Sequence, residues 1–113
     1  MTGAGPAQFY LSPARRLEGE IVVPGDKSIS HRAVILGGIA HGTTEIHGLL
    51  RGDDVVRTLA AFRRLGVSIR DEGDIVRIDG RGLAGLGEPD DVIDLGNSGT
   101  SIRLLAGLLA GRP

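Results

Sequence analysis

The chain reads as an α/β protein: one βαβαββ unit followed by the opening of a second, incomplete one. Three observations predict this. Short β-branched runs alternate with segments of helical period along residues 20–79. A glycine-led strand-to-helix turn of one design occurs twice, at Gly25 and at Gly96. The 113 residues, 41% hydrophobic and 24% charged, have the balance of one globular domain or less, which argues against disorder along the whole length.

Each element has a local reason. Ala7-Gln8-Phe9-Tyr10-Leu11 reads as a short strand that Pro13 breaks, and Glu20-Ile21-Val22-Val23 as a strand ending at Pro24-Gly25. A helix over about 28–41 follows, with Ser28 or Ser30 as cap, Ile29, Ala33, Leu36 and Ala40 at helical spacing, and Gly42 as stop. Gly37-Gly38 inside it costs about 1 kcal/mol each in propensity, tolerable where close packing needs no side chain. Thr43–His47 is a strand. Asp53-Asp54 then caps an amphipathic helix with Val55, Val56, Leu59, Ala60, Phe62 and Leu65 inward, Arg57, Arg63 and Arg64 on a solvated face, and Gly66 at its end. Residues 67–70 and 74–79 alternate with period two about Asp71-Glu72-Gly73, a hairpin. Gly80–Pro89 is a glycine-rich loop, residues 91–95 a further strand, Gly96–Gly99 a small-residue turn, and Thr100–Ala110 an apolar helix.

Composition narrows the function classes. A net charge of −1 gives no basic footprint for nucleic acid. The absence of cysteine removes disulfides, thiolate metal sites and cysteine nucleophiles. No apolar run approaches the roughly 20 residues of a membrane span, and Met1–Gln8 lacks the pattern of a signal or transit peptide, so a cytoplasmic protein is expected. Glycine is abundant at 19 residues, and the three aromatics are Phe9, Tyr10 and Phe62, so the core has to be built from Leu, Ile, Val and Ala. A core this small is marginal, and the chain is expected to lean on a partner or to be part of something longer.

The two turns carry the chemistry. Gly25-Asp26-Lys27-Ser28-Ile29-Ser30-His31-Arg32 and Gly96-Asn97-Ser98-Gly99-Thr100-Ser101-Ile102-Arg103 each follow a β-branched run and open a helix. Each places an arginine seven residues after its first glycine, with small hydroxyl residues between. A helix N-terminus offers unpaired N–H groups and a partial positive charge, and glycine and serine let an anion approach that backbone. Ser28 and Arg32 share the i,i+4 spacing, as do Gly99 and Arg103, and Lys27 stands at the mouth. Lys27 is the single lysine among 13 basic residues, and Asp26 is the nearby acid. Together the turns read as a site for phosphate and carboxylate groups. Plain capping would also explain Ser28 and Ser30. Asp53-Asp54 could be a catalytic pair, but a helix cap explains them better. Neither a Walker A loop nor a dinucleotide fingerprint is present, and His31, His41 and His47 have no metal-ligand spacing with acids.

At Pro24–Arg32 the sequence resembles the N-terminal signature of the 5-enolpyruvylshikimate-3-phosphate synthase family. Ala40-His41-Gly42, Leu49-Leu50 with Asp53-Asp54-Val55, and Leu65-Gly66-Val67 resemble further pieces of it in order, and Leu95–Arg103 resembles its second signature. The likeness covers residues 17–111. Ser98 with Leu104-Leu105 resembles the bacterial form with Ser and Leu there, rather than the form with Ala and Pro. The resemblance implies transfer of the enolpyruvyl (1-carboxyvinyl) group of phosphoenolpyruvate to the 5-hydroxyl of shikimate 3-phosphate, with release of phosphate, on the shikimate pathway to chorismate and the aromatic amino acids. It implies no cofactor or metal, no nucleic-acid or membrane partner, and a monomeric full-length enzyme.

Carried over by position, Lys27 contacts both substrates, Ser28 and Arg32 hold shikimate 3-phosphate, Asn97, Gly99 and Thr100 line the phosphoenolpyruvate pocket, and Arg103 sits beside it. Gly99 is where the family's glyphosate-insensitive members carry Ala, so a glyphosate-sensitive enzyme is implied. The implied fold is an inside-out α/β barrel of two pseudo-threefold lobes built from βαβαββ units. In it residues 1–19 give a strand to the other lobe, 20–80 form the first unit, and 91–113 begin the second. The family's proton-transfer residues lie beyond Pro113, so no catalytic residue is expected in this chain and the chain alone is expected to be inactive. Two readings compete: the sister family that transfers enolpyruvyl to a UDP-aminosugar (UDP-N-acetylglucosamine), disfavoured because it has Lys-Asn after its first glycine turn, and a stand-alone, non-catalytic anion-binding domain.

Overall fold

The protein is described here by a computed structural model covering residues 5–112. Residues 1–4 of the predicted leading segment and Pro113 lie outside the described residues. In chain order the elements are α1 (Lys27–Ile39), β1 (His41–His47), α2 (Asp53–Arg64), β2 (Ser68–Asp71), β3 (Ile75–Arg81), a single 3₁₀ turn at Leu83–Gly85, and α3 (Gly99–Leu109). The α/β class holds, and the unit is incomplete.

The sheet has the order β1-β3-β2, with β3 antiparallel to both neighbours. Its register follows from period two. Val76, Ile78 and Gly80 of β3 point to the helices and are buried, while Arg77 and Asp79 point away. The outward face is a polar ladder: Arg77 bonds Glu45, its directly opposite partner on β1, and Glu72, and Thr43 donates to Asp79 at 2.7 Å. On the inward face α1 and α2 lie parallel, with Val34, Ile35, Val55, Leu59, Ala61, Phe62 and Leu65 closing over Val76 and Ile78. Two glycines make that closeness possible. A Cβ at Gly38 would stand 2.4 Å from the Phe62 ring, and one at Gly80 would stand 2.3 Å from the Ala40 carbonyl oxygen. The low helix propensity of Gly38 is thus the condition for seating Phe62, which is fully buried.

Several expectations are corrected. The predicted strands at 7–11, 20–23 and 91–95 do not form. A strand needs a ladder partner, and the described residues provide none for them; Phe9, Tyr10, Leu11, Leu17, Ile21 and Val22 are accordingly 85–96% exposed. The formed unit is therefore αβαββ. Its first helix is capped by Asp26, whose carboxylate accepts the Ile29 N–H at 2.8 Å, and not by Ser28 or Ser30. It ends at Ile39, so β1 starts at His41, two residues before the predicted strand. The residues whose spacing predicts this helix mark its outer side: Ile29 and Leu36 are about 60% exposed, and Ser30, His31, Val34, Ile35, Gly37 and Gly38 face the core. On α2, Gly52 and not Asp53-Asp54 is the N-cap, Val56 and Ala60 point outward, and Thr58 and Ala61 take the inward places.

Candidate functional site

The first turn is shaped by what crosses it. A Cβ at Gly25 would meet the Gly48 carbonyl oxygen at 2.2 Å and the Leu50 nitrogen at 2.9 Å, so only glycine lets the β1–α2 connector pass. Ser30 secures that connector by accepting the Leu50 N–H at 3.0 Å. On the far side of the connector, Arg51 reaches Asp71 with both Nη atoms and the Gly73 carbonyl with Nη2. Lys27 is the first residue of α1, and its ammonium is ion-paired with Asp54 in the first turn of α2. The sequence reading gave Asp26 as the nearby acid; the acid that meets the lysine is Asp54. The Lys27 hydrogen bond holds the Asp54 carboxyl below the ordinary carboxylate range. Ser28 and Arg32 lie exposed on α1, and Arg32 has no ion pair among the described residues.

The second turn is built differently. Gly96 has φ +59°, which favours glycine, and the Arg57 guanidinium lies where a Cβ would stand, with Nε at 2.5 Å. Arg57 is not on a solvated face, as the sequence suggests; it pairs with Asp53 at 3.3 Å and Asp94 at 3.4 Å and so ties α2 to this turn. Ser98 caps α3 by accepting the Ser101 N–H at 3.1 Å. Asn97 and Gly99 are exposed, Thr100 is half-buried, and the Arg103 guanidinium folds back so that a Gly99 Cβ would touch its Nη1 at 3.4 Å.

The turns are brought together through α2. Lys27 faces Asp54 and His31 faces Thr58, each pair one helical turn apart, so the N-termini of α1 and α2 lie side by side. The Thr58 hydroxyl meets His31 Nδ1 at 3.0 Å, the Ser101 hydroxyl at 2.7 Å and the Asp54 carbonyl at 3.1 Å, and the Ser98 hydroxyl adds to Ser101 at 2.7 Å. This chain is buried throughout. Three helix N-termini thus meet at one place, each contributing free N–H groups and partial positive charge. Burial lowers the His31 pKa, with Asp54 opposing and Lys27 supporting the shift, which favours the neutral ring. Its Nε2 is a buried polar atom with no partner among the described residues.

Sequence reasoning did not assign the contacts that Asp54, Thr58, Ser101 and His31 make between the turns. One signal was available: Thr58 interrupts the apolar stripe Val55, Leu59, Phe62, and a polar group on a buried stripe requires a partner. A separate concavity of about 340 Å³ lies at the C-terminal ends of α2 and α3, lined by Leu65, Leu86, Pro89, Leu109 and Arg112 among others. Its lining is mixed, with Glu88 and Arg112 beside the leucines, and none of the predicted binding residues borders it.

Comparison with known proteins adds to this geometry. The family profile described as EPSP synthase (3-phosphoshikimate 1-carboxyvinyltransferase) matches residues 11–113. The 3-phosphoshikimate 1-carboxyvinyltransferase of Geotalea uraniireducens is 61% identical over 104 residues, 92% of this chain and 24% of that protein. The protein of that name from Shouchella clausii is 62% identical over 97 residues, 86% of this chain and 23% of that one. Among solved structures, EPSP synthase from Acinetobacter baumannii aligns with a TM-score of 0.77 at 51% identity, over 80% of this chain and 21% of that one. The chain spans about a quarter of the length of the curated relatives it matches. No helix among the described residues is long and apolar enough to cross a membrane.

Proposed function

The chain belongs to the EPSP synthase family, and from that premise we propose that it supplies one wall of the site where enolpyruvyl passes from phosphoenolpyruvate to the 5-hydroxyl of shikimate 3-phosphate. Phosphate is released, and the product feeds aromatic amino acid synthesis. The observation that carries the reading is the meeting of the Gly25 and Gly96 turns on α2, with Lys27, Ser28, Arg32, Asn97, Gly99, Thr100 and Arg103 distributed over them. Both substrates are small acids bearing phosphate and carboxylate. Helix N–H groups and arginine forks bind such groups with directed, charge-assisted hydrogen bonds.

In this reading the roles divide by turn. Ser28 and Arg32 hold shikimate 3-phosphate, Asn97, Gly99 and Thr100 line the phosphoenolpyruvate pocket, Arg103 stands beside it, and Lys27 contacts both substrates. Asp54 ion-pairs the Lys27 ammonium and holds it across the gap between α1 and α2. These residues bind and orient; none is assigned a proton-transfer step, so the chain by itself binds without turnover. Residues 20–80 are the first unit, 91–113 the start of the second, and 1–19 pair with the other lobe of a monomeric, cytoplasmic enzyme. The exposure of residues 7–11 and 20–23 supports this, because those apolar side chains find no burial within the chain.

The test is kinetic. In a full-length member carrying residues 11–112 of this chain, Lys27→Ala and Arg32→Ala each lower kcat/KM by about tenfold or more, the loss of at least one charged hydrogen bond. An unchanged variant overturns the assignment. Because Gly99 is retained, the same enzyme is inhibited by glyphosate; an uninhibited one counts against the role of Gly99. Steady-state phosphate release by the purified chain alone would contradict its role as a binding wall only.

A further inference from the structure

Among the described residues, α2 reaches both glycine-led turns through one stripe of side chains. Asp54 holds Lys27, Arg57 lies against Gly96, and Thr58 bonds His31 on α1 and Ser101 on α3. The spacing i, i+3, i+4 puts the three on one face. Asp54 and Arg57 make part-exposed ion pairs, which are individually weak. Thr58 is different, because it is fully buried and its hydroxyl bonds the buried side chains of His31 and Ser101 as well as the part-buried Asp54 carbonyl.

The proton positions follow from the partners. The Asp54 carbonyl can only accept, so the single Thr58 proton goes there. His31 Nδ1–H and the Ser101 hydroxyl must then both donate to the Thr58 oxygen, and the Ser98 hydroxyl donates to Ser101. The Thr58 oxygen is saturated, with one bond donated and two accepted, and the direction of every bond in the chain is set by that one carbonyl. A saturated hydroxyl joining two helices fixes their separation more closely than apolar packing, which tolerates sliding. The helices joined are those that begin with Lys27 and Gly99.

Resting on the reading of the site given above, we propose that Thr58 is a positioning residue of the transferase. It touches neither substrate. Through His31 and Ser101 it sets the gap between the Gly25 and Gly96 turns, so that a ligand anchored on one is within reach of the donors of the other.

The test uses the full-length member carrying residues 11–112 of this chain. Thr58→Val keeps the shape and removes the hydroxyl, and Thr58→Ser keeps the hydroxyl. In the valine variant the KM for phosphoenolpyruvate rises about tenfold or more, while shikimate 3-phosphate binding, titrated without phosphoenolpyruvate, stays within about threefold. The serine variant returns the KM to within about threefold of the parent. Ser101→Ala, which breaks the Thr58 link to α3 together with the Ser98 bond within α3 and leaves a smaller void, shows the same split if the valine variant does not fold. A long-range proton–nitrogen NMR correlation finds His31 neutral and protonated on Nδ1 in the parent. Unchanged KM values in the valine variant or in Ser101→Ala, a loss that serine does not restore, or a ring protonated on Nε2 would each overturn the proposal while the parent's activity stands. A parent that neither binds shikimate 3-phosphate nor turns over sinks the reading of the site and this proposal together.

Discussion

Behind the Gly25 turn lies a packed body: α1 rests on β3 and α2, the β1–α2 connector presses on Gly25 itself, and Asp26, Ser30 and Lys27 are each tied down. Behind the Gly96 turn lies a segment without a ladder. Residues 91–95 belong to no ladder, and α3 buries only Ser101 and Leu105 fully. This second turn is held by the packing of Ile93, Leu95 and Leu105 on the core and by side-chain ties, namely Arg57 to Asp94, Thr58 to Ser101, and Arg112 to the Leu86 carbonyl at 2.9 Å. Two stretches of near-equivalent local chemistry therefore differ in rigidity. An anion turn is preorganised by what packs behind it, which the turn's own residues do not specify.

The sharpest way to test this difference is to remove the body behind the first turn. Phe62→Ala is expected to cost about 3–5 kcal/mol, read by thermal or denaturant unfolding of the chain; a cost below about 1 kcal/mol would mean that the first region is no better packed than the second. Next in size is Gly25→Ala, whose Cβ meets backbone atoms that cannot swing away, at an expected cost of about 2–3 kcal/mol. Gly96→Ala sharpens the contrast. Its φ of +59° costs about 1 kcal/mol for alanine, but the atom it meets belongs to the flexible Arg57, so its effect should be the smaller of the two. If Gly96→Ala proves worse than Gly25→Ala, the comparison is reversed.

The smallest expected effect is on pH dependence. The folded pKa of His31 lies below its ordinary value of 6.5, so the unfolded chain binds the extra proton first as pH falls. The His31 contribution to stability is complete above that value and declines below it, toward the folded pKa. The melting temperature should therefore fall from pH 7 to pH 5, and His31→Gln should flatten that slope; equal slopes in both proteins would exclude a buried neutral ring. Asp54 acts lower on the scale, since its depressed pKa gives stability that is present above the ordinary carboxylate range and is lost as pH falls through its folded value.

Particular residues show what could be read from the chain. The two glycine-led turns are legible because a strand-to-helix turn is a short-range pattern, and the 67–79 hairpin is legible because alternation and a turn sequence suffice. Strands 7–11, 20–23 and 91–95 carry the right local signals and still fail, because a ladder requires a partner that propensity cannot provide. The buried face of α1 was misread because this helix is apolar on two sides, and only the position of β3 and α2 selects between them. Val56 and Ala60 point outward for a similar reason: their hydrophobicity is local, and the direction of burial is set by the packing of α2.

The sequence by itself determined the three helices to within a residue or two of their starts, the glycine-led turns and the hairpin, since periodicity and turn chemistry act within a few residues. The tertiary structure alone decided that Asp54 meets Lys27 and that Thr58 joins His31 to Ser101. Those bonds close over separations of 27 and 43 residues, and a contact of that range leaves no trace in the local pattern from which a sequence is read.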